Sequence, residues 1–295
     1  MSHFTVMVFG YTPEKQLAPY DEDIQTPPRD KGEVAEEDKQ SMIDHYKKPE
    51  NGGLDLPFGE LYKLKGEDWD GNALVQHEDG TWHESTTYNP KSKWDWYQLG
   101  GRWSGYLKLK EGANGTNGER SWANENEPVK EGYADSARKM DIDIEGMKNE
   151  AGDEAGKKWD KANELLKDLP VNESWETVRR RYTKDDTDFT DMVVARAVYA
   201  EQPRVKAMSN TDEFGFFTSP DDFNMSREQY VENARNRAIS TFAVVKDGVW
   251  YEKGEMGWWG MTSNEKDQAE WDKQVVELLD SVPDETIVSI YDCHI

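Results

Sequence analysis

The side chains able to do chemistry in this sequence are few and scattered. Five histidines (His3, His45, His77, His83 and His294) and one cysteine, Cys293, are spread over 295 residues. No H-E-x-x-H pair exists, and a single thiol cannot build a zinc finger. No metal site is therefore expected. If strands at the two ends of the chain pair, His3 and His294 come close and Cys293 faces away from His294; ordinary strand-end histidines are the plainer reading. A Cys–His nucleophile needs proximity in space only, yet Cys293 lies inside an apparent strand, a poor place for a reactive thiol. No G-x-S-x-G elbow is present.

Two stretches come near to known motifs and fall short. Gly152-Asp153-Glu154-Ala155-Gly156-Lys157-Lys158 evokes a phosphate-binding loop. It has three residues between its glycines where the motif has four, and Lys158 stands where Ser or Thr would reach magnesium. A helix start is expected there instead. Asp141-Ile142-Asp143-Ile144-Glu145-Gly146 matches the first half of a calcium loop, but the twelfth position is Gly152, not a bidentate Glu. Asp185-Asp186-Thr187-Asp188 could hold a divalent cation weakly, but the plainer reading is a solvated helix-capping cluster. These readings imply no cofactor and no enzyme.

The most distinctive segment is Trp94-Asp95-Trp96-Tyr97-Gln98-Leu99-Gly100-Gly101-Arg102-Trp103. Adjacent glycines permit positive φ and close backbone approach. Arg102 between aromatic residues can stack on a ring or pair with a carboxylate. Trp, Tyr and Arg are the usual anchors of protein interfaces. Trp94, Asp95, Trp96, Tyr97, Arg102 and Trp103 are thus partner-binding candidates, and Trp258 and Trp259 join them. The competing reading is an aromatic core holding an internal Arg–Asp pair. A third makes the same residues a nucleotide-like ligand pocket, with rings stacking a base and Arg102 holding a phosphate.

The elements that must position these residues follow from periodicity. His3–Phe9 is a short apolar strand ending at Gly10. Residues 12–53 form a long Pro- and acid-rich connection with a short helix near 33–46. Asp79-Gly80 and Asp247-Gly248 mark hairpin turns. Strands are expected at 94–97, 103–109, 240–245, 249–251 and 286–295, with another short one near 258–261. Helices are expected at 155–169, 174–182 (N-capped by Ser174), 188–200, 226–239 (with Ser226 and Gln229 as a capping box) and 264–279. The fold class is α+β, a mixed or antiparallel sheet built from both termini. Residues 1–110 and 238–295 form one discontinuous domain, with 54–110 and 240–261 feeding a single sheet. Residues 111–237 form a largely helical insertion.

Composition bounds the function classes. Hydrophobic residues make up 35%, but 12 Trp, 13 Tyr and 9 Phe supply enough ring area for a core. The net charge of −24 disfavours direct binding to nucleic acid, itself a polyanion, and favours a basic partner, although such charge also serves solubility alone. No apolar run approaches the length of a membrane span. Met1–Gly10 has neither a basic n-region nor a small-residue cleavage site, so no signal peptide is expected, and one cysteine allows no intrachain disulfide.

The opening Met1-Ser2-His3-Phe4-Thr5-Val6-Met7-Val8, the segment Gln16-Leu17-Ala18-Pro19-Tyr20, and Trp94-Asp95-Trp96-Tyr97 with Gly100-Gly101-Arg102-Trp103 resemble a family of bacteriophage-encoded proteins over about the first 110 residues. In size and in having no catalytic motif, the chain is also similar to the phage anti-defence inhibitors of the bacterial Gabija system. That resemblance implies a non-enzymatic inhibitor in the host cell cytoplasm. It implies a homo-oligomer that surrounds a nuclease–helicase defence complex and stops it binding or cleaving DNA. The acidity is compatible, since a nuclease exposes a basic DNA channel that an acidic protein can approach.

Overall fold

The two ends of the chain supply its most apolar strands, and these pair with each other. A computed structural model describes residues 2–67, 72–121, 130–183, 189–215, 218–257 and 260–295. Among the described residues the strands are β1 (His3–Phe9), β2 (Arg29–Glu33), β3 (Asn72–Gln76), β4 (Trp82–Thr86), β5 (Trp96–Leu99), β6 (Leu107–Lys108), β7 (Tyr133–Ala134), β8 (Ser136–Arg138), β9 (Ala243–Lys246), β10 (Val249–Glu252), β11 (Glu255–Met256), β12 (Thr262–Ser263) and β13 (Ile287–His294). The α-helices are α1 (Pro13–Leu17), α2 (Glu36–Lys47), α3 (Phe58–Lys65), α4 (Ile144–Leu166), α5 (Trp175–Tyr182), α6 (Phe189–Ala200), α7 (Pro203–Ser209), α8 (Arg227–Arg237) and α9 (Gln268–Asp280). The fold is α+β.

The central sheet has the order β10-β9-β1-β13-β5, with β8 also pairing β13. β1 runs antiparallel to β13 and parallel to β9, so the sheet is mixed. Side chains alternate across a strand, and β1 fills two cores by that alternation. Met7 and Phe9 pack with Trp271, Val275 and Leu279 of α9 on one face. Phe4, Val6 and Val8 pack with Leu17, Tyr20, Trp94 and Cys293 on the other. The indole Nε1 of Trp271 donates to the Thr241 carbonyl (2.7 Å), so the largest buried ring leaves no orphan donor. The β9–β10 hairpin turns through Asp247 (φ 52°) and Gly248 (φ 72°), the paired positive φ values that two-residue hairpins favour.

The expectation of one sheet is too simple. β3 and β4 leave the central sheet and, with β2, form a separate three-stranded sheet in the order β2-β4-β3. It carries its own aromatic packing, with Phe58 and Tyr62 of α3 against Trp82. The strand expected at 103–109 shrinks to β6, because residues 102–105 are spent turning around a buried carboxylate. The insertion is helical from Ile144 onward; the stretch before it adds β8 to the central sheet, with Ser136 opposite Ser289.

The phosphate-loop look-alike lies in the middle of α4, not at a helix start. The helix begins eleven residues before Ala155, where Asp143 accepts the Gly146 N–H as N-cap. Gly152 and Gly156 sit one turn apart and are buried, facing Val231, Arg235 and Arg227 of α8. Their small size lets the two helices approach, which offsets the cost of about 1 kcal/mol for each glycine inside a helix. Ser174 and Ser226 cap α5 and α8 as expected, but of the expected capping box only the Ser226 half forms, its hydroxyl accepting the Gln229 N–H (3.2 Å). The Asp185–Asp188 cluster lies outside the described residues. No described helix is long and apolar enough to cross a membrane.

Candidate functional site

The Trp94–Trp103 segment runs along the β5 edge of the central sheet. β5 pairs with β13 in the register Trp96↔His294, Tyr97↔Cys293, Gln98↔Asp292 and Leu99↔Tyr291. Alternation splits the aromatic residues between two environments. Tyr97 turns inward, its ring edge-on to Trp94 and Tyr291. Trp94 is buried, and its Nε1 donates to the Leu17 carbonyl (3.2 Å). Trp103 packs half-buried against the core under α9. Trp96 faces the other way and is 45% exposed.

Gly100 and Gly101 follow, with φ of 74° and 54°. A Cβ on Gly100 would run into the Asp135 carboxylate, and one on Gly101 would lie 2.5 Å from Asp292 Cβ. The turn is thus wrapped around two fully buried acids. Asp135 accepts the N–H groups of Gly105 (2.5 Å) and Gly118 (2.8 Å) and the Ser104 hydroxyl (3.3 Å). Asp292 accepts the backbone N–H of Arg102 (3.0 Å) and lies 2.8 Å from His3 Nδ1. Buried charge is costly unless hydrogen-bonded, and these donors are the compensation. Arg102 is exposed, and it is its backbone N–H that reaches Asp292.

His3, His294 and Trp96 occupy facing positions on three adjacent strands. The imidazoles stand edge to face at 4.8 Å, and His3 meets Trp96 edge-on at 6.3 Å. His294 Nδ1 lies 2.6 Å from Asp95 Oδ1. Each imidazole is therefore held through Nδ1 by its own carboxylate, which fixes the ring and turns Nε2 away from that partner. The result is an ordered polar–aromatic patch around Trp96, with Asp95 and Arg102 exposed on the same segment. One strand residue away, burial and then the charge of Asp292 push the Cys293 thiol far above its ordinary range. A reactive thiol needs the opposite shift.

Of the residues singled out in the sequence, Trp94 and Tyr97 serve mainly the core, Trp96 and Arg102 reach solvent, Asp95 orients His294 and Trp103 braces the sheet. Trp258 and Trp259 lie outside the described residues. The proximity of His3 and His294 follows from terminal strand pairing, as expected. The buried acids Asp135 and Asp292 went unremarked; the signal available was the glycine pair, whose close backbone approach had to be to something. His77 and His83, named in the sequence as separate candidates, are brought together by the Asp79-Gly80 hairpin. Compared with protein-family models, curated proteins and solved structures, the chain matches none.

Proposed function

We propose that this chain is a phage-encoded, non-enzymatic inhibitor of a bacterial anti-phage defence complex of the Gabija type. It acts by protein–protein binding that keeps the complex from binding or cleaving DNA, in the host cytoplasm and as a homo-oligomer. The target rests on the chain's likeness, in size and in having no catalytic motif, to the phage inhibitors of the Gabija system; the Trp94–Trp103 segment supports only the phage origin. The observation that carries the binding mode is Trp96, a large ring 45% exposed on a sheet edge. Its neighbours His3 and His294 are already held, by Asp292 and Asp95 in turn, and pack ring to ring. A rigid aromatic anchor ringed by polar groups is the usual composition of an interface hot spot, and rigidity lowers the entropy lost on binding. The net charge of −24 supplies long-range attraction to a basic DNA-binding surface.

The test is co-expression with the nuclease–helicase complex, followed by sizing and a DNA-cleavage assay. Co-migration and loss of cleavage are expected. Trp96→Ala should lower inhibition by about tenfold or more, as loss of an anchor costs roughly 2 kcal/mol, while leaving the unfolding midpoint nearly unchanged. Full cleavage in the presence of excess wild-type protein would remove the reading.

A further inference from the structure

We infer that Asp30, His77 and His83 form a binding site for a divalent first-row transition metal, zinc being the natural probe, that clasps β2 to the β3–β4 hairpin. This inference stands apart from the inhibitor reading and from the Trp96 patch.

Register alone puts the three side chains on one face. His83 pairs with Val75, and His77 lies two residues beyond Val75, so the histidines are diagonal neighbours across the hairpin. Asp30 pairs with Ser85, two residues from His83, and so shares its face. A bulge between Asp30 and Gly32 lets β2 bend towards the hairpin at this point. His77 is held at the hairpin mouth, its N–H donating to the Thr81 carbonyl (2.9 Å).

The geometry is close to that of a coordination shell. His83 Nδ1 lies 3.0 and 2.9 Å from the two Asp30 oxygens, and His77 Nε2 lies 3.9 Å from Asp30 Oδ2. The imidazoles stack at 3.9 Å with 15° between their planes, and one ligand atom from each of the three residues falls within 4.8 Å of the other two. Bond lengths of about 2.0–2.2 Å in a tetrahedral site put ligand atoms roughly 3.3 Å apart. The stacked rings aim their lone pairs along nearly parallel planes, so binding requires one imidazole to turn about its side-chain torsions as the ligand atoms close in; both histidines lie at the surface, where such rotation is cheap.

The chemistry selects the ion. Two imidazoles and a carboxylate suit zinc and its neighbours better than calcium or magnesium, which take oxygen. Water would complete the shell. The Gly32 N–H donates to Asp30 Oδ1 (2.8 Å) and aims the carboxylate, as outer-shell donors do in metal sites. That N–H first, and His83 second, hold the Asp30 carboxyl below its usual range. Asp79, at the hairpin tip, lies within electrostatic reach of both histidines and adds negative potential.

The experiment is titration of chelator-treated, full-length protein with zinc by calorimetry, and with cobalt by visible absorption. One saturable equivalent per chain is expected, with a cobalt spectrum showing nitrogen–oxygen ligation. His77→Gln, His83→Gln and Asp30→Asn should each weaken uptake by about tenfold or more, with far-UV circular dichroism unchanged. His3→Gln and His294→Gln should leave it intact. On the wild-type protein, zinc should shield His77 and His83, but not His45, from diethylpyrocarbonate. Absence of saturable uptake, uptake that survives the His77 and His83 substitutions, or shielding confined to His3 and His294 would each overturn the assignment.

Discussion

His3 with Asp292 and His83 with Asp30 are the same pair of side chains at almost the same distance, 2.8 and 2.9 Å, in opposite surroundings. The Asp292 side chain is 0% exposed and that of Asp30 49%. In the central sheet the buried carboxylate accepts the Arg102 N–H, and a glycine turn is fitted around it. In the outer sheet water can replace any partner that leaves. The difference teaches that a His–Asp pair does not carry a function by itself. Burial turns the inner pair into a fixture of the fold, and exposure leaves the outer pair available to a ligand.

The strongest way to break this contrast is at the glycine turn. Gly101→Ala places a Cβ 2.5 Å from Asp292 Cβ at a φ of 54°. The positive φ and the collision together should cost about 3 kcal/mol or more, read as a fall in the urea midpoint. An unchanged midpoint would mean that the inner carboxylate is not clamped at all. Next in size is Asp292→Asn. It keeps the shape but gives up the charge that the Arg102 N–H and His3 are arranged to meet, at a cost of about 1–3 kcal/mol. Asp135→Asn should fall in the same range, since three donors converge on that acid.

Cys293 sharpens the comparison from the kinetic side. It is fully buried, and burial with the neighbouring Asp292 charge drives its thiol far above the usual range. Only the thiolate reacts, so labelling by a disulfide reagent requires the central sheet to open. The rate should track global unfolding, rising steeply as urea approaches the midpoint. Rapid labelling in native buffer would show that the inner region is as open as the outer one.

The parts of this contrast that were legible in the sequence were those with a local cause. The terminal strands announce themselves by apolar β-branched runs, the two Asp-Gly turns by their tolerance of positive φ, and α5 and α8 by their capping serines. The opaque parts depend on what arrives from elsewhere. β2 reads Arg-Asp-Lys-Gly-Glu with every residue exposed, so no alternation reveals it. α4 runs through Gly152 and Gly156 only because α8 packs there. Asp135 and Asp292 are two among 60 acids, and nothing in their flanks says that one turn will enclose both. Asp30 joins His83 across 53 positions of sequence, beyond the reach of motif spacing.

The smallest expected effect is at Asp30, and its smallness is the point. Its folded pKa is depressed by the Gly32 N–H and His83. A depressed carboxyl contributes stability above its unfolded value, near pH 3.9, and loses that contribution as pH falls through the folded value. Asp30→Asn should therefore leave the thermal midpoint almost unmoved at pH 7 without metal, and the variant should coincide with wild type once the pH has fallen below the folded value of Asp30. Adding zinc at pH 7 should separate the two by raising the midpoint of the wild type alone, since binding to the native state adds stability by mass action. If Asp30→Asn instead unfolds the metal-free protein as readily as Asp292→Asn, exposure does not divide the two pairs, and the outer carboxylate is as much part of the scaffold as the inner.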